Sequence, residues 1–172
     1  MPFLAIDHEL TRAETTFTFT SATKGWNIAG LKCGLAVAAA PAGIRLLEER
    51  WEALLASHLG VLASVAAFTD GLPWLDAVLG QLDENRKLLA VLFAEHLPGV
   101  GYAPPQASFL AWLDCRDLGL GDDPAAVFLE KGNVALSHGL DFGAEGRGFA
   151  RLNMGTWPEL LEIAVRRMAA SL

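Results

Sequence analysis

The sequence is short of cations, of cysteine and of unbroken apolar runs, and each shortage removes a class of function. Its 13 Lys and Arg stand against 20 Asp and Glu, a formal net charge of −7. The basic residues are scattered, and the pair Arg166-Arg167 sits where it complements the end of a helix. A chain with this balance lacks the positive surface a nucleic-acid partner requires. Only two cysteines occur, Cys33 and Cys115. They are far apart and in no ligand-like spacing, which excludes a disulfide framework or a zinc site and fits a reducing cytoplasm. The histidines His8, His58 and His96 are isolated, so no metal site is expected. The longest apolar run, residues 53–68, is interrupted by Ser57, His58 and Ser64. It falls short of the roughly 18 to 20 residues a membrane span needs and reads as a buried helix. The N-terminus shows no basic region followed by an apolar core and a cleavage site, so no secretory signal is expected.

There is ample material for a core. Of 172 residues, 52% are hydrophobic and 19% charged, enough for one ordinary domain or two small ones and unlike a disordered chain. Residues 1–12 show no regular period and read as a connector. Residues 15–20 alternate Thr with Phe, the period-two pattern of a strand. Residues 35–40 form a short continuous apolar run between Gly34 and Pro41, predicting a second strand buried on both faces. From 44 to 69, apolar positions recur at three- and four-residue steps, predicting a long amphipathic helix with a break near 57–60. Asp70-Gly71-Leu72-Pro73 ends it, and residues 74–96 predict another helix stopped by Pro98-Gly99. Beyond it come strands over 108–114, 134–137 and 149–154, and helices over 124–131 and 158–170, the last with Pro158 in its first turn. The composition shift over 70–83 reads as a hinge between two units.

The most distinctive stretch is Ser21-Ala22-Thr23-Lys24-Gly25-Trp26-Asn27-Ile28-Ala29-Gly30-Leu31-Lys32-Cys33-Gly34. It places a lysine among small, hydroxylated and glycine neighbours where a strand stops. Two roles stay open for Lys24 on residue type alone. One is a solvated charge, the usual state of lysine. The other is a Schiff-base lysine, whose amine loses its proton readily when desolvated or set beside another cation such as Lys32. Ser21 and Thr23 supply two hydroxyls, and the glycines let backbone approach a bulky anion. A phosphate-bearing aldehyde uses all of these.

The second is Gly148-Phe149-Ala150-Arg151-Leu152-Asn153. An arginine inside an apolar strand needs an anionic partner. That partner is either a structural carboxylate or a ligand. His138-Gly139-Leu140-Asp141-Phe142-Gly143 lies shortly before it, where His138 reads as a surface histidine or a general base.

The segment S-A-T-K-G-W-N-I-A-G-L-K resembles the pyridoxal-phosphate attachment segment of the class I/II aminotransferases, the fold-type I enzymes. Its wording is closer to the cystathionine β-lyase-like branch, the C-S lyases. The resemblance implies that Lys24 bonds the cofactor aldehyde and that Ser21, with Thr23 beside it, binds the cofactor phosphate. Lys32 stands where most aminotransferases have a phosphate-binding arginine; lysine keeps the charge without the two-pronged geometry, a departure that favours the lyase-like branch. The R-L-N segment matches the place where the family binds the substrate α-carboxylate, which assigns that role to Arg151. The glycines around Phe142 resemble the family's G-x-x-F-G turn. Gly71-Leu72-Pro73-Trp74, Asn85-Arg86 and the segment 105–114 extend the likeness over nearly the whole chain.

What the resemblance implies is an α/β architecture: the last strands of a mixed, mostly parallel cofactor sheet, a long connecting helix and an α+β small domain. Residues 1–75 would be a remnant of the cofactor-binding large domain and 76–172 the C-terminal small domain. The family's glycine-containing phosphate loop, ring-stacking aromatic, asparagine and ring-nitrogen aspartate have no counterpart, Asp7 coming too late to be that aspartate. The expectation is therefore the C-terminal part of an enzyme that is a homodimer when full-length and acts on a small-molecule amino-acid substrate. Three functions stand: a C-S β-lyase releasing thiol, pyruvate and ammonia; a general aminotransferase; and an inactive remnant or interaction module.

Overall fold

The computed structural model describes residues 16–38, 40–49 and 56–172. The expected connector over 1–12, Asp7, His8, Thr15 of the first strand and residues 50–55 of the long helix lie outside the described residues. The chain divides into two compact units, Met1–Ala77 and Val78–Leu172.

In the first unit, strand β1 (Phe17–Thr20) pairs antiparallel with β2 (Leu35–Ala38), Phe17 lying opposite Ala38 and Thr20 opposite Leu35. Within a sheet expected to be mostly parallel, this described pair is antiparallel. Burial on both faces of β2 is corrected: its residues alternate between exposed and half-buried, with Val37 45% exposed. An unbroken apolar run predicts a doubly covered strand only where a layer lies on each side. The break expected near 57–60 is present, and the described residues of this stretch form two helices. Helix α1 (Pro41–Glu48) begins with Pro41 in its first turn, and α2 (His58–Asp70) is capped by Ser57, whose Oγ accepts the Gly60 N–H at 3.4 Å. His58, which interrupts the apolar run, is exposed at the start of α2.

Helix α3 (Leu72–His96) begins two residues before the expected start and runs across the unit boundary. In the second unit, β3 (Gly101–Tyr102), β4 (Leu110–Asp114), β6 (Phe149–Asn153) and β5 (Ser137–His138) form an antiparallel sheet in the order β3-β4-β6-β5. The strand expected over 134–137 is confined to Ser137 and His138. Helices α4 (Pro124–Gly132) and α5 (Pro158–Ala170) complete the unit; Asp123 caps α4 by accepting the Ala126 N–H at 3.3 Å.

Alternation along the two central strands sorts the faces of this sheet. Ala111, Leu113, Ala150 and Leu152 are buried and join Leu89, Phe93, Phe128, Leu161, Val165 and Met168 in one core. Each fully buried Leu or Phe there contributes about 1.5–3 kcal/mol. The intervening residues Trp112, Phe149 and Arg151 lie on the opposite face. No single helix among the described residues is long and apolar enough to cross a membrane.

Candidate active site

The lysine segment leaves β1 as a closed turn. The Trp26 N–H donates to Ala22 O and the Ile28 N–H to Thr23 O, each at 3.0 Å, and Ala22 is fully buried beneath them. Ser21 Oγ and Thr23 Oγ1 share a hydrogen bond of 2.6 Å, and the Thr23 N–H also donates to Ser21 Oγ at 3.3 Å. Two hydroxyls are thus brought together beside Lys24, which is exposed. The turn is tied down at Trp26, whose indole N–H donates to Gly71 O at 2.8 Å and whose ring meets Phe68 edge-on at 5.1 Å.

Lys32 is exposed and sits in the left-handed region, φ 53°, closing a 3-10 turn over Ala29–Leu31. The backbone on either side of it is held by α2. A Cβ on Gly60 would collide with the Leu31 carbonyl oxygen and lie 3.1 Å from Cys33 Cβ, so only glycine lets the helix lie this close.

Arg151 occupies the middle of β6, with Trp112 opposite it on β4 and Ser137 opposite it on β5. Its Nη2 donates to Ser137 Oγ at 3.2 Å, and its Cζ stands 4.4 Å from the centroid of the Phe142 ring. Its Nε–H is buried and has no hydrogen-bond partner. Among the described residues no carboxylate lies within ion-pairing distance of it, so the structural salt bridge left open by the sequence is not what holds it. A guanidinium with five donors and one protein hydrogen bond retains capacity for an anion. Lys24, Ser21, Thr23 and Lys32 belong to the first unit and Arg151 to the second.

His138 sets Nδ1 2.8 Å from both carboxylate oxygens of Asp123, the residue that caps α4. The hydrogen bond to Asp123 and its charge hold the imidazole above its usual pKa, with a further push from Asp141. Two further participants near Arg151 were not singled out from the sequence. Ser137 carried only a strand signal, and Trp112 read as one more apolar strand residue. Asn85 on α3 is fully buried. Its Nδ2 donates to Met154 O and Thr156 O, each at 2.8 Å, so it ties the chain leaving β6 to the helix.

The family model for aminotransferases of class I and II matches residues 2–168. The chain belongs to this family. A protein of Mycobacterium tuberculosis (strain CDC 1551 / Oshkosh), named "Putative cystathionine beta-lyase", is 46% identical over 180 residues, 93% of this chain and 44% of its own length. A cystathionine beta-lyase of Bacillus subtilis is 31% identical, covering 99% of this chain and 45% of its own. The crystal structure of a "putative plp-dependent beta-cystathionase" from Corynebacterium diphtheriae superposes with a TM-score of 0.83 at 37% identity, over 94% of this chain and 43% of that one. The chain therefore spans less than half the length of these relatives.

The class I and II aminotransferase family is pyridoxal-phosphate-dependent. The residues present fit the phosphate and aldehyde ends of that cofactor. The paired Ser21 and Thr23 hydroxyls offer hydrogen bonds to phosphate oxygens, and the Lys24 amine stands exposed in the same turn.

Proposed function

We propose that the chain carries the lysine and arginine of a cystathionine β-lyase-like C-S lyase. Residues 1–75 belong to the cofactor-binding domain and 76–172 form the C-terminal small domain. The substrate class is an amino acid with a thioether at Cβ. The observation that carries the lyase reading is the 46% identity to a relative named for that activity. Arg151, charged and without a carboxylate partner among the described residues, suits the α-carboxylate. Ser21 and Thr23 hold the cofactor phosphate through their hydroxyls, and Lys32 adds a positive charge toward it. Bound pyridoxal phosphate supplies the electron sink that acidifies the α C–H bond. Lys24 takes the α-proton on its Nζ as general base. The electron pair of the broken C–H bond forms the Cα–Cβ double bond as the C–S bond breaks, and sulfur leaves with its pair as a thiolate that takes up a proton to become the thiol. Water then hydrolyses the imine tautomer of the released enamine, giving pyruvate and ammonia.

An aminotransferase is the second reading, favoured by the family match itself. In that reaction Lys24 would carry the α-proton back on its Nζ, the amino group would be held on the cofactor for a 2-oxo acid, and no C–S bond would break. The full-length protein is a homodimer acting in the cytoplasm in either case; the free thiols of Cys33 and Cys115 support that compartment.

The test is purified protein with pyridoxal phosphate and cystathionine. A visible absorbance band that disappears in K24A, with pyruvate and ammonia released in equal amounts, is the expected result. Amino transfer that depends on a 2-oxo acid and releases no ammonia would sink the lyase in favour of the aminotransferase. A chain giving no Lys24-dependent band is an inactive remnant.

A further inference from the structure

We propose that Phe142 and Ser137 are positioning residues that hold the Arg151 guanidinium open toward a substrate carboxylate, in place of the acidic side chain a half-buried arginine ordinarily takes. This rests on the reading of Arg151 as the carboxylate-binding residue.

Two arginines of the second unit lie against aromatic rings, and they are satisfied differently. Arg116 stands 4.9 Å over Phe149 and is neutralised by Asp114, at 2.8 Å from Nε and 2.6 Å from Nη2. Arg151 stands 4.4 Å over Phe142 and has only the uncharged Ser137 hydroxyl. A ring face attracts and orients the planar cation while leaving its charge uncancelled. A carboxylate in the same place would occupy the fork and compete with a ligand for it.

The ring is built into position. Phe142 ends a 3-10 helix over Gly139–Phe142, and Gly139 lies against the backbone of Gly146 and of Phe149 on β6. A Cβ there would run into the Gly146 carbonyl oxygen and lie 2.5 Å from that of Phe149, so a side chain at 139 would displace the turn that carries the ring. Trp112 meets Phe142 edge-on at 5.5 Å and stacks on Phe149 at 5.6 Å, which props the ring from the sheet side. Ser137 is opposite Arg151 in the β5–β6 register, so its hydroxyl reaches Nη2 from a fixed strand position. These contacts restrain one face and one Nη of the guanidinium. The other donors remain for a ligand.

The full chain labelled with 15N-arginine reports this directly, because the buried Arg151 Nε–H exchanges slowly enough to observe; R151K identifies its resonance by loss. Propionate is the carboxylate probe. In F142L the resonance moves downfield as the ring current is lost, and propionate affinity falls about three- to tenfold, the range expected for losing a partly desolvated cation–π contact. S137A weakens propionate by a smaller factor, and F142Y, which keeps the ring face, restores both the shift and the affinity. If F142L and S137A bind propionate like the wild type while R151K does not, the positioning role is overturned and the carboxylate role stands. If R151K also binds like the wild type, both are overturned. Should F142L fail to fold, S137A decides by its propionate affinity against that of R151K.

Discussion

The two units differ in how much of their apolar surface they cover. Val78–Leu172 closes a core of fully buried side chains, including Leu89, Leu113, Phe128, Leu161 and Val165. In Met1–Ala77 the buried apolar residues among those described are the small ones, Ala22, Cys33 and Ala67, whereas Phe19 is 75% exposed and Leu59 and Leu62 about two-thirds exposed. Helix α2 is apolar on all sides, so no rotation about its axis hides its large residues. The arginine-bearing unit is thus organised by its own core, and the lysine-bearing unit by hydrogen bonds and close backbone contacts around the turn, at Trp26, Gly60 and Ser21. An uncovered apolar face of this kind is where association begins.

The largest effect comes from breaking the core that distinguishes the second unit. F128A removes a fully buried ring and is expected to cost about 3–5 kcal/mol, whereas L62A, at an exposed position, stays within about 0.5 kcal/mol. Chemical denaturation followed through the tryptophans measures both. Equal costs at the two positions would mean that α2 is as well packed as α4 and would abolish the contrast.

That contrast was legible in the sequence only in part. The strand over 149–154 and helices over 124–131 and 158–170 were readable because short apolar segments there are bounded by Pro, Gly and acidic caps, and they appear as β6, α4 and α5. Strand β3 has two residues, too few to show a period. The exposure of Leu35 and Val37 was not legible, because an apolar run shows that residues are suited to burial and not that a covering layer is there. At the candidate site, Ser21, Thr23 and Lys24 were legible together because they are near neighbours in the chain. The support of Arg151 was not. Strand alternation shows which face a side chain takes, but Phe142 reaches Arg151 from a 3-10 turn nine residues earlier, and no periodicity connects the two.

A smaller effect sharpens the comparison through the two cysteines, one in each unit. Burial, helped by the charge of Asp114, pushes the Cys115 thiol up to about 12. The reactive thiolate is therefore scarce at neutral pH. Cys33 is buried at 7% exposure in the unit without a large core. Under mild denaturant Cys33 is expected to be labelled by a thiol reagent well before Cys115, since local opening is cheapest where few apolar contacts must be broken. Mass spectrometry of timed aliquots resolves the two sites. Simultaneous labelling would mean that the chain opens as one cooperative body.

The smallest effect tests whether a surface charge in the second unit is felt only there. Asp123 holds the His138 imidazole above its ordinary pKa. A group whose folded pKa exceeds its unfolded value stabilises fully below the unfolded value, about 6.5 for histidine, and loses that contribution as pH rises through the folded value. The pair is partly solvent-exposed, with His138 at 42% and Asp123 at 36%, so the amplitude is small. The His138 ring signal, followed by proton NMR, should titrate above the ordinary histidine range in the wild type and return toward it in D123N. Because Asp123 also caps α4, D123S separates the two roles: it retains a capping oxygen but loses the charge, so it should lower the titration midpoint with little loss of helix stability. A midpoint unchanged in D123S would show that the charge does not set the imidazole. A shift in Cys33 labelling between pH 6 and pH 8, after correction for thiolate fraction, would show that the first unit feels the pair as well.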